Sequence, residues 1–370
     1  MHLVWLQASD FRCYRTLEFR PDPGVNLLVG DNGSGKSTVL EAIGYLATLS
    51  SFRRAPDQSL VRVGAAAAVV RGEFAQAEGT VRVETEIPER GPRRVLVDGK
   101  KATGRGEVAE RIALVAFLPD DLDLVKRGPV YRREYIDDLS VQLWPAAAPE
   151  QQDYERALRQ RNALLRRDGQ RADPATLDVW DERLATLGAA LVHRRILAGE
   201  RLVPVAGDLC RALGTGQGCL DWSYLGAGVG PVDPAGGLED LEERLRRGLA
   251  AARQEDGERR ATSVGPHRDE LMLRLDGRDL RTRASQGEQR TVALALRVAA
   301  FDLLAEQRRA SPVLVLDDVF SELDAGRRSR LAERFPSGQV FVSTTRDEDV
   351  PLAGTRWVVS GGVIHRGGAR

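Results

Sequence analysis

Gly30-Asp31-Asn32-Gly33-Ser34-Gly35-Lys36-Ser37 has the form G-x-x-x-x-G-K-S, the pattern of a phosphate-binding loop. Its flanks agree with that reading. Val25-Asn26-Leu27-Leu28-Val29 is short and apolar enough for a buried strand, and Val39, Leu40, Ile43, Tyr45 and Leu46 then recur at helical spacing. A strand, a glycine loop and a helix in that order turn successive backbone N–H groups toward one point. The glycines let the backbone wrap closely around a phosphate. Lys36 is placed to reach the β- and γ-phosphates, and the hydroxyl of Ser37, followed by Thr38, to join the shell of Mg²⁺. The sequence therefore predicts a site for a nucleoside triphosphate, with Mg²⁺ beside it.

The second half of such a site lies far down the chain. Pro312-Val313-Leu314-Val315-Leu316 reads as a buried strand and ends in Asp317-Asp318. Asp317 is the expected metal-ordering acid, and Asp318 the residue that orients or deprotonates the attacking water. Between the two halves, residues 130–200 are helical by pattern, with breaks at 145–149 and at Asp168-Gly169. Leu177, Trp180, Leu184, Leu187 and Leu191 form a two-heptad stripe that is expected to stop at Arg194-Arg195. Gly226 to Gly237 reads as a loop, and Leu238, Leu241, Leu245 and Leu249 as another amphipathic helix. Residues 60–98 alternate as strands, and Asp98-Gly99 marks a hairpin. The expected architecture is α/β, a P-loop ATPase head with a mixed sheet and an antiparallel β-subdomain. The head takes residues 1–120 and 262–370, split by a mainly helical arm at 121–261.

Ser285-Gln286-Gly287-Glu288 carries two compatible readings. S-x-x-E is a capping box, in which Ser285 and Glu288 satisfy backbone donors at a helix start. A capped N-terminus with glycine in its first turn is also an anion site, open to a nucleotide held by a second subunit.

Composition removes several classes. The 54 basic and 54 acidic residues balance, which excludes a uniformly basic protein, and 50 of the basic residues are Arg. Cys13, Cys210 and Cys219 form no C-x-x-C pair, so reduced thiols and a cytoplasmic location are expected. Four scattered histidines offer no metal cluster, and no apolar run is long enough to span a membrane.

The order of motifs carries a resemblance. G-x-x-x-x-G-K-S, S-Q-G-E-Q, L-V-L-D-D and then Ser321-Glu322-Leu323-Asp324 is the order of the ABC/SMC ATPases, with the last motif similar to their D-loop. Pro119-Asp120-Asp121-Leu122, Gly128-Pro129, Arg132-Arg133 and Tyr135-Ile136-Asp137 resemble one segment of the RecF family. Thr262-Ser263-Val264-Gly265-Pro266-His267-Arg268-Asp269 resembles another. The resemblance implies an ATP-dependent homodimer, each ATP lying between the phosphate loop of one subunit and Ser285 of the other. It implies binding of double-stranded DNA and single-/double-strand junctions without sequence specificity, help in loading RecA at gaps, and RecR and RecO as partners.

The family also implies a weak, DNA-dependent ATPase acting as a switch; Asp318, where many ABC proteins carry Glu, fits slow hydrolysis. No Gln stands in the region from Val115 to Leu118 where the family's Q-loop is expected. Arg12 resembles a phosphate-reaching position, although an Arg after a buried Phe is equally a surface residue. Thr344 or Thr345 is a candidate for the position that senses the γ-phosphate, and His267 with Arg268 links the arm to the nucleotide or forms a turn. The candidate DNA surfaces are Arg53-Arg54, Arg93-Arg94 with Lys100-Lys101 and Arg105, Arg132-Arg133, and Arg166-Arg167. The rival readings are a transporter's nucleotide-binding subunit, a small-molecule kinase and a non-hydrolysing clamp.

Overall fold

The computed structural model describes residues 1–213, 219–233, 235–334 and 338–367. The chain divides into two compact units. One comprises Met1–Asp121 with Ala300–Arg370, the other Leu122–Ala299. The second division lies inside the helix Gln286–Arg308, later than the expected boundary at 261. Residues 262–299 join the second unit because Glu270–Leu275 pairs antiparallel with Leu220–Gly226.

The first unit is built on two six-stranded sheets. One is antiparallel and includes His2–Phe11, Tyr14–Phe19, Ala67–Gln76 and Gly79–Pro88, with the expected hairpin at Asp98-Gly99. The other has a parallel centre in the order Thr355–Ser360, Val25–Val29, Val340–Thr344, Val313–Asp317 and Leu114–Phe117. Val313–Asp317 and Val340–Thr344 are buried at every position, the run expected of parallel strands covered on both faces. Gln339 stitches the sheets together: its amide donates to the Leu3 carbonyl and accepts from the Leu3 N–H. Phe19 packs on Trp357, ring centroids 5.0 Å apart.

This topology positions a site. Val29, Asp317 and Thr344 all end parallel strands at the same carboxyl edge, where open α/β sheets bind their ligands. The helix after the loop, Lys36–Thr48, is buried along almost its whole length.

The second unit packs the helices Pro129–Leu143, Ala147–Asp168, Pro174–Ala212 and Leu238–Arg259 with a four-stranded antiparallel sheet. Pro174 opens the longest helix at a position where its missing N–H is not needed, and Asp173 caps it by accepting from the Thr176 N–H at 2.9 Å. Contrary to the expectation from its spacing, the apolar stripe of that helix does not stop at Arg194-Arg195, and the helix runs to Ala212. Arg195 is buried and forms a two-pronged pair with Asp137, so the apolar face continues through Ile196, Leu202 and Leu209. The segment read as a loop from Gly226 holds a strand at Gly230–Val232, paired with Tyr224 to Gly226.

Candidate nucleotide site

Two glycines of the loop are fixed by space and conformation. A Cβ at Gly30 would lie 2.3 Å from the Val359 carbonyl oxygen. Gly35 sits at φ 106, and a Cβ there would meet the Tyr14 hydroxyl at 2.6 Å. The loop is thereby seated between the end of one strand and the Tyr14 ring, and Lys36 begins the helix at its foot. The Lys36 amine donates to the carbonyls of Gly30 and Asp31 at 2.7 and 2.8 Å. Burial lowers its pKa, opposed by the nearby carboxylates of Asp318, Asp317 and Asp31.

The aspartate strand meets the loop through hydroxyls. Asp317 Oδ1 accepts from Ser37 at 2.7 Å and from Ser343 at 2.6 Å. The Asp318 N–H donates to the Ser343 hydroxyl at 3.0 Å, and Asp318 takes a left-handed backbone at φ 54. Asp is among the few non-glycine residues that tolerate that region. Asp318 Oδ1 and Ser34 Oγ are buried and lack hydrogen-bond partners among the described residues. Buried oxygens in that condition are the mark of a site that receives a donor or a cation. Asn32, Gly33, Gly35, Lys36, Ser37, Thr38, Asp317 and Asp318 line one cleft of about 510 Å³ with Arg12, Cys13, Arg53 and Ser343.

The remaining expectations fall out unevenly. Arg12 borders the cleft, but its guanidinium grips the buried Glu41 with both prongs, at 2.9 and 2.8 Å. The Thr344 hydroxyl bonds the Arg346 carbonyl; Ser343, one residue earlier and paired in register with Asp317, is the residue at the carboxylates. Glu41, Arg53 and Ser343 are the participants that motif spacing did not reveal. For Ser343 the signal was present: a polar residue inside an otherwise apolar strand aligned with Asp317.

Ser285 and Glu288 belong to the second unit and form the reciprocal capping box. Glu288 accepts from the Ser285 N–H at 2.7 Å, and the Ser285 hydroxyl accepts from the Glu288 N–H at 3.2 Å. Arg278 holds Glu288 at 2.9 Å, and these bonds keep the Glu288 pKa low. Ser285 and Gln286 are exposed, with Gly287 beside them at the helix start. In the segment expected as a D-loop, the Ser321 hydroxyl donates to the Asp318 carbonyl at 2.8 Å, and Asp324 caps the helix Ala325–Glu333. Among the basic clusters, Arg132 is buried against Glu270 and Arg93 pairs with Asp57, so both are structural. Arg94, Lys100, Lys101, Arg166 and Arg167 remain exposed. His267 is half-buried in the second unit, between the Tyr154 hydroxyl at 2.7 Å and the Thr262 carbonyl at 3.0 Å.

A family model for the RecF/RecN/SMC N terminal domain matches residues 2–360. The DNA replication and repair protein RecF of Frankia alni is 43% identical, the alignment covering 99% of this chain and 100% of that one. Its namesake in Streptomyces avermitilis is 42% identical over the same shares. The chain belongs to the RecF family.

The solved structure of the recombination mediator protein RecF-ATP in the RecFOR pathway superposes with a TM-score of 0.92 at 28% identity, covering 99% of this chain and 98% of that chain. The corresponding RecF-ATPrS structure gives 0.90 at 29% identity over the same shares. An SMC head bound to the C-winged helix domain of ScpA, at 18% identity and a TM-score of 0.53, shares the fold alone. The RecF-family assignment thus extends over nearly the whole chain. No helix among the described residues is long and apolar enough to cross a membrane.

Proposed function

We propose that this chain is an ATP-dependent DNA-binding protein of replication and repair, closing on DNA as an ATP-bridged homodimer. The observation that carries the reading is the hydrogen-bonded chain from the Ser37 hydroxyl through the Asp317 carboxylate and the Ser343 hydroxyl to the Asp318 N–H, beside a glycine loop. It sets an alcohol, two carboxylates and an ammonium around one cleft. The residues fit a divalent cation: Asp317 and Ser37 would hold it, leaving other positions to phosphates and water, as Mg²⁺ prefers. Among the described residues no cluster of three or more acidic, His or Cys side chains stands ready to cage a metal without a nucleotide.

Bound ATP and Mg²⁺ supply the cleavable anhydride and the neutralising charge. The loop from Gly30 to Thr38 cradles the phosphates with backbone N–H groups, and Lys36 exchanges its loop carbonyls for phosphate oxygens. Asp318, its backbone fixed by Ser343, accepts the proton of the attacking water. Ser285, Gln286, Gly287 and Glu288 of a second copy complete the site, and Ser321 and Asp324 order the segment after Asp318. Arg12 supports the loop helix through Glu41.

The relatives' names support a role in recombinational repair. On that reading the partners are DNA with single-/double-strand junctions, RecR and RecO, the task is help with RecA loading in the cytoplasm, and hydrolysis is slow. DNA binding measured with ATP, with ADP and without nucleotide, each at two salt concentrations, tests the reading. ATP-selective binding that weakens steeply with salt is expected. Equal DNA binding in all three states would overturn it.

A further inference from the structure

The two oxygens of Asp317 are treated differently. Oδ1 takes both hydroxyl donors, Ser37 and Ser343. Oδ2 faces a cation: Arg53 Nη2 stands 3.7 Å away. The Asp317 side chain is 4% exposed, so its charge needs a neutralising partner. Lys36 shares the cleft and its charge is attracted by Asp318 and Asp317, but its amine donates to the Gly30 and Asp31 carbonyls and leaves Oδ2 to Arg53.

Arg53 is mounted for movement. Its backbone N–H is held by the Ser51 hydroxyl at 3.1 Å, and Ser51 in turn bonds Glu41 on the phosphate-loop helix. Its side chain is 45% exposed and makes no other ion pair among the described residues. The root is fixed and the guanidinium is free to leave.

We propose that Arg53 is a place-holder for the divalent cation: it neutralises Asp317 when no metal is there and is displaced when metal and nucleotide enter together. This rests on the nucleotide reading of the cleft. On the carboxylate that would hold the metal, Asp317 Oδ2 is the oxygen that accepts no hydroxyl and faces Arg53. A guanidinium and a divalent cation cannot both occupy that oxygen's open side. Arg53 therefore lowers the advantage that metal confers on nucleotide binding, while keeping the buried carboxylate compensated in its absence. An arginine that serves only as a phosphate contact would strengthen binding with and without metal alike.

The test is equilibrium binding, with no turnover required. Methylanthraniloyl-ADP is titrated into the full chain in excess EDTA and again in excess Mg²⁺, and the two dissociation constants are compared as a ratio. Arg53→Ala should raise the enhancement by Mg²⁺ about two- to fivefold, the range of a partly exposed ion pair. Arg53→Lys should stay near the wild-type ratio. An Arg53→Ala ratio that is unchanged or smaller, with wild-type binding intact, overturns the place-holder alone. Failure of the wild type to bind the probe in either buffer overturns the nucleotide reading, and this inference with it.

Discussion

Ser37 and Asp317 stand 280 positions apart in sequence and 2.7 Å apart in space. That one bond joins the phosphate loop to the aspartate strand, and Ser343 fixes the same oxygen from the neighbouring strand. Parallel pairing of Val340–Thr344 with both Val25–Val29 and Val313–Asp317 is the cause, since it brings three strand ends to one edge. The alcohol and carboxylate are oriented by the fold itself, which lowers the ordering cost of binding.

Lys36→Ala should reduce ATP affinity about 10- to 100-fold, the value of one charged hydrogen-bonding group. Lys36 is the one ammonium lining the cleft among the described residues, and its loop carbonyls hold it within reach. Isothermal titration gives the affinity, and sedimentation velocity should show that ATP no longer drives dimerisation. Equal association of the wild type with and without ATP would defeat the ATP-bridged homodimer.

Asp318→Asn should leave ATP binding close to wild type and slow hydrolysis at least about 100-fold, trapping the dimer. Asn tolerates the left-handed backbone at this position, so the fold should persist. Single-turnover hydrolysis and size exclusion with ATP are the checks. Unchanged hydrolysis would remove Asp318 from the proton transfer.

Much of this site was legible because its chemistry is encoded in short contiguous motifs. Gly30 to Ser37 and Asp317-Asp318 are each dictated by a local turn and a strand end. Arg53 and Glu41 were not legible: their roles depend on tertiary neighbours, and a charged residue looks the same in sequence whether paired or solvated. Arg195 shows the same limit in the fold. Read as two charges it ends an apolar stripe, but paired with Asp137 it lies inside the core and the helix runs on. The strand at Leu220–Gly226 was also missed, because its pairing partner at Glu270–Leu275 is distant in sequence.

Ser285 invites two substitutions with different outcomes. Ser285→Ala removes the cap from the helix Gln286–Arg308 and should cost about 1 kcal/mol of stability. Ser285→Arg should leave ATP binding by the monomer intact but block pairing of two copies at the exposed helix start. Calorimetric titration and sedimentation separate the two effects. Loss of monomer affinity in Ser285→Arg would show a structural cap and no role in trans.

His267 predicts the acid side of the stability profile. Burial pushes its pKa down from 6.5 to about 4, reinforced by Arg268 and Arg133 and opposed by the Thr262 carbonyl and Asp256. The unfolded chain therefore takes up a proton near pH 6.5 that the folded chain refuses. Stability is full above that value and falls as pH drops toward 4, by up to roughly 3 kcal/mol. His267→Gln should flatten this part of the profile between pH 7 and 5 in denaturant melts. An equal slope in the variant would show that His267 is solvated.

Arg161 carries the largest expected stability effect in the second unit. It is fully buried, and its guanidinium reaches Asp181 at 2.7 Å, Asp256 at 2.6 Å and the Thr262 hydroxyl at 2.9 Å. Asp181 retains Arg253 at 2.7 Å, but Asp256 has no second cation among the ion pairs of the described residues. Arg161→Met would leave Asp256 as a buried charge without its partner, at a cost of about 3–5 kcal/mol. Arg161→Lys should recover only part of this, because a single ammonium cannot span both carboxylates as a guanidinium does. Urea unfolding of Arg161→Met, Asp256→Asn and the double variant measures the coupling. Independent, additive losses in the double variant would show that the pair is not a unit. A double variant close to either single one is expected.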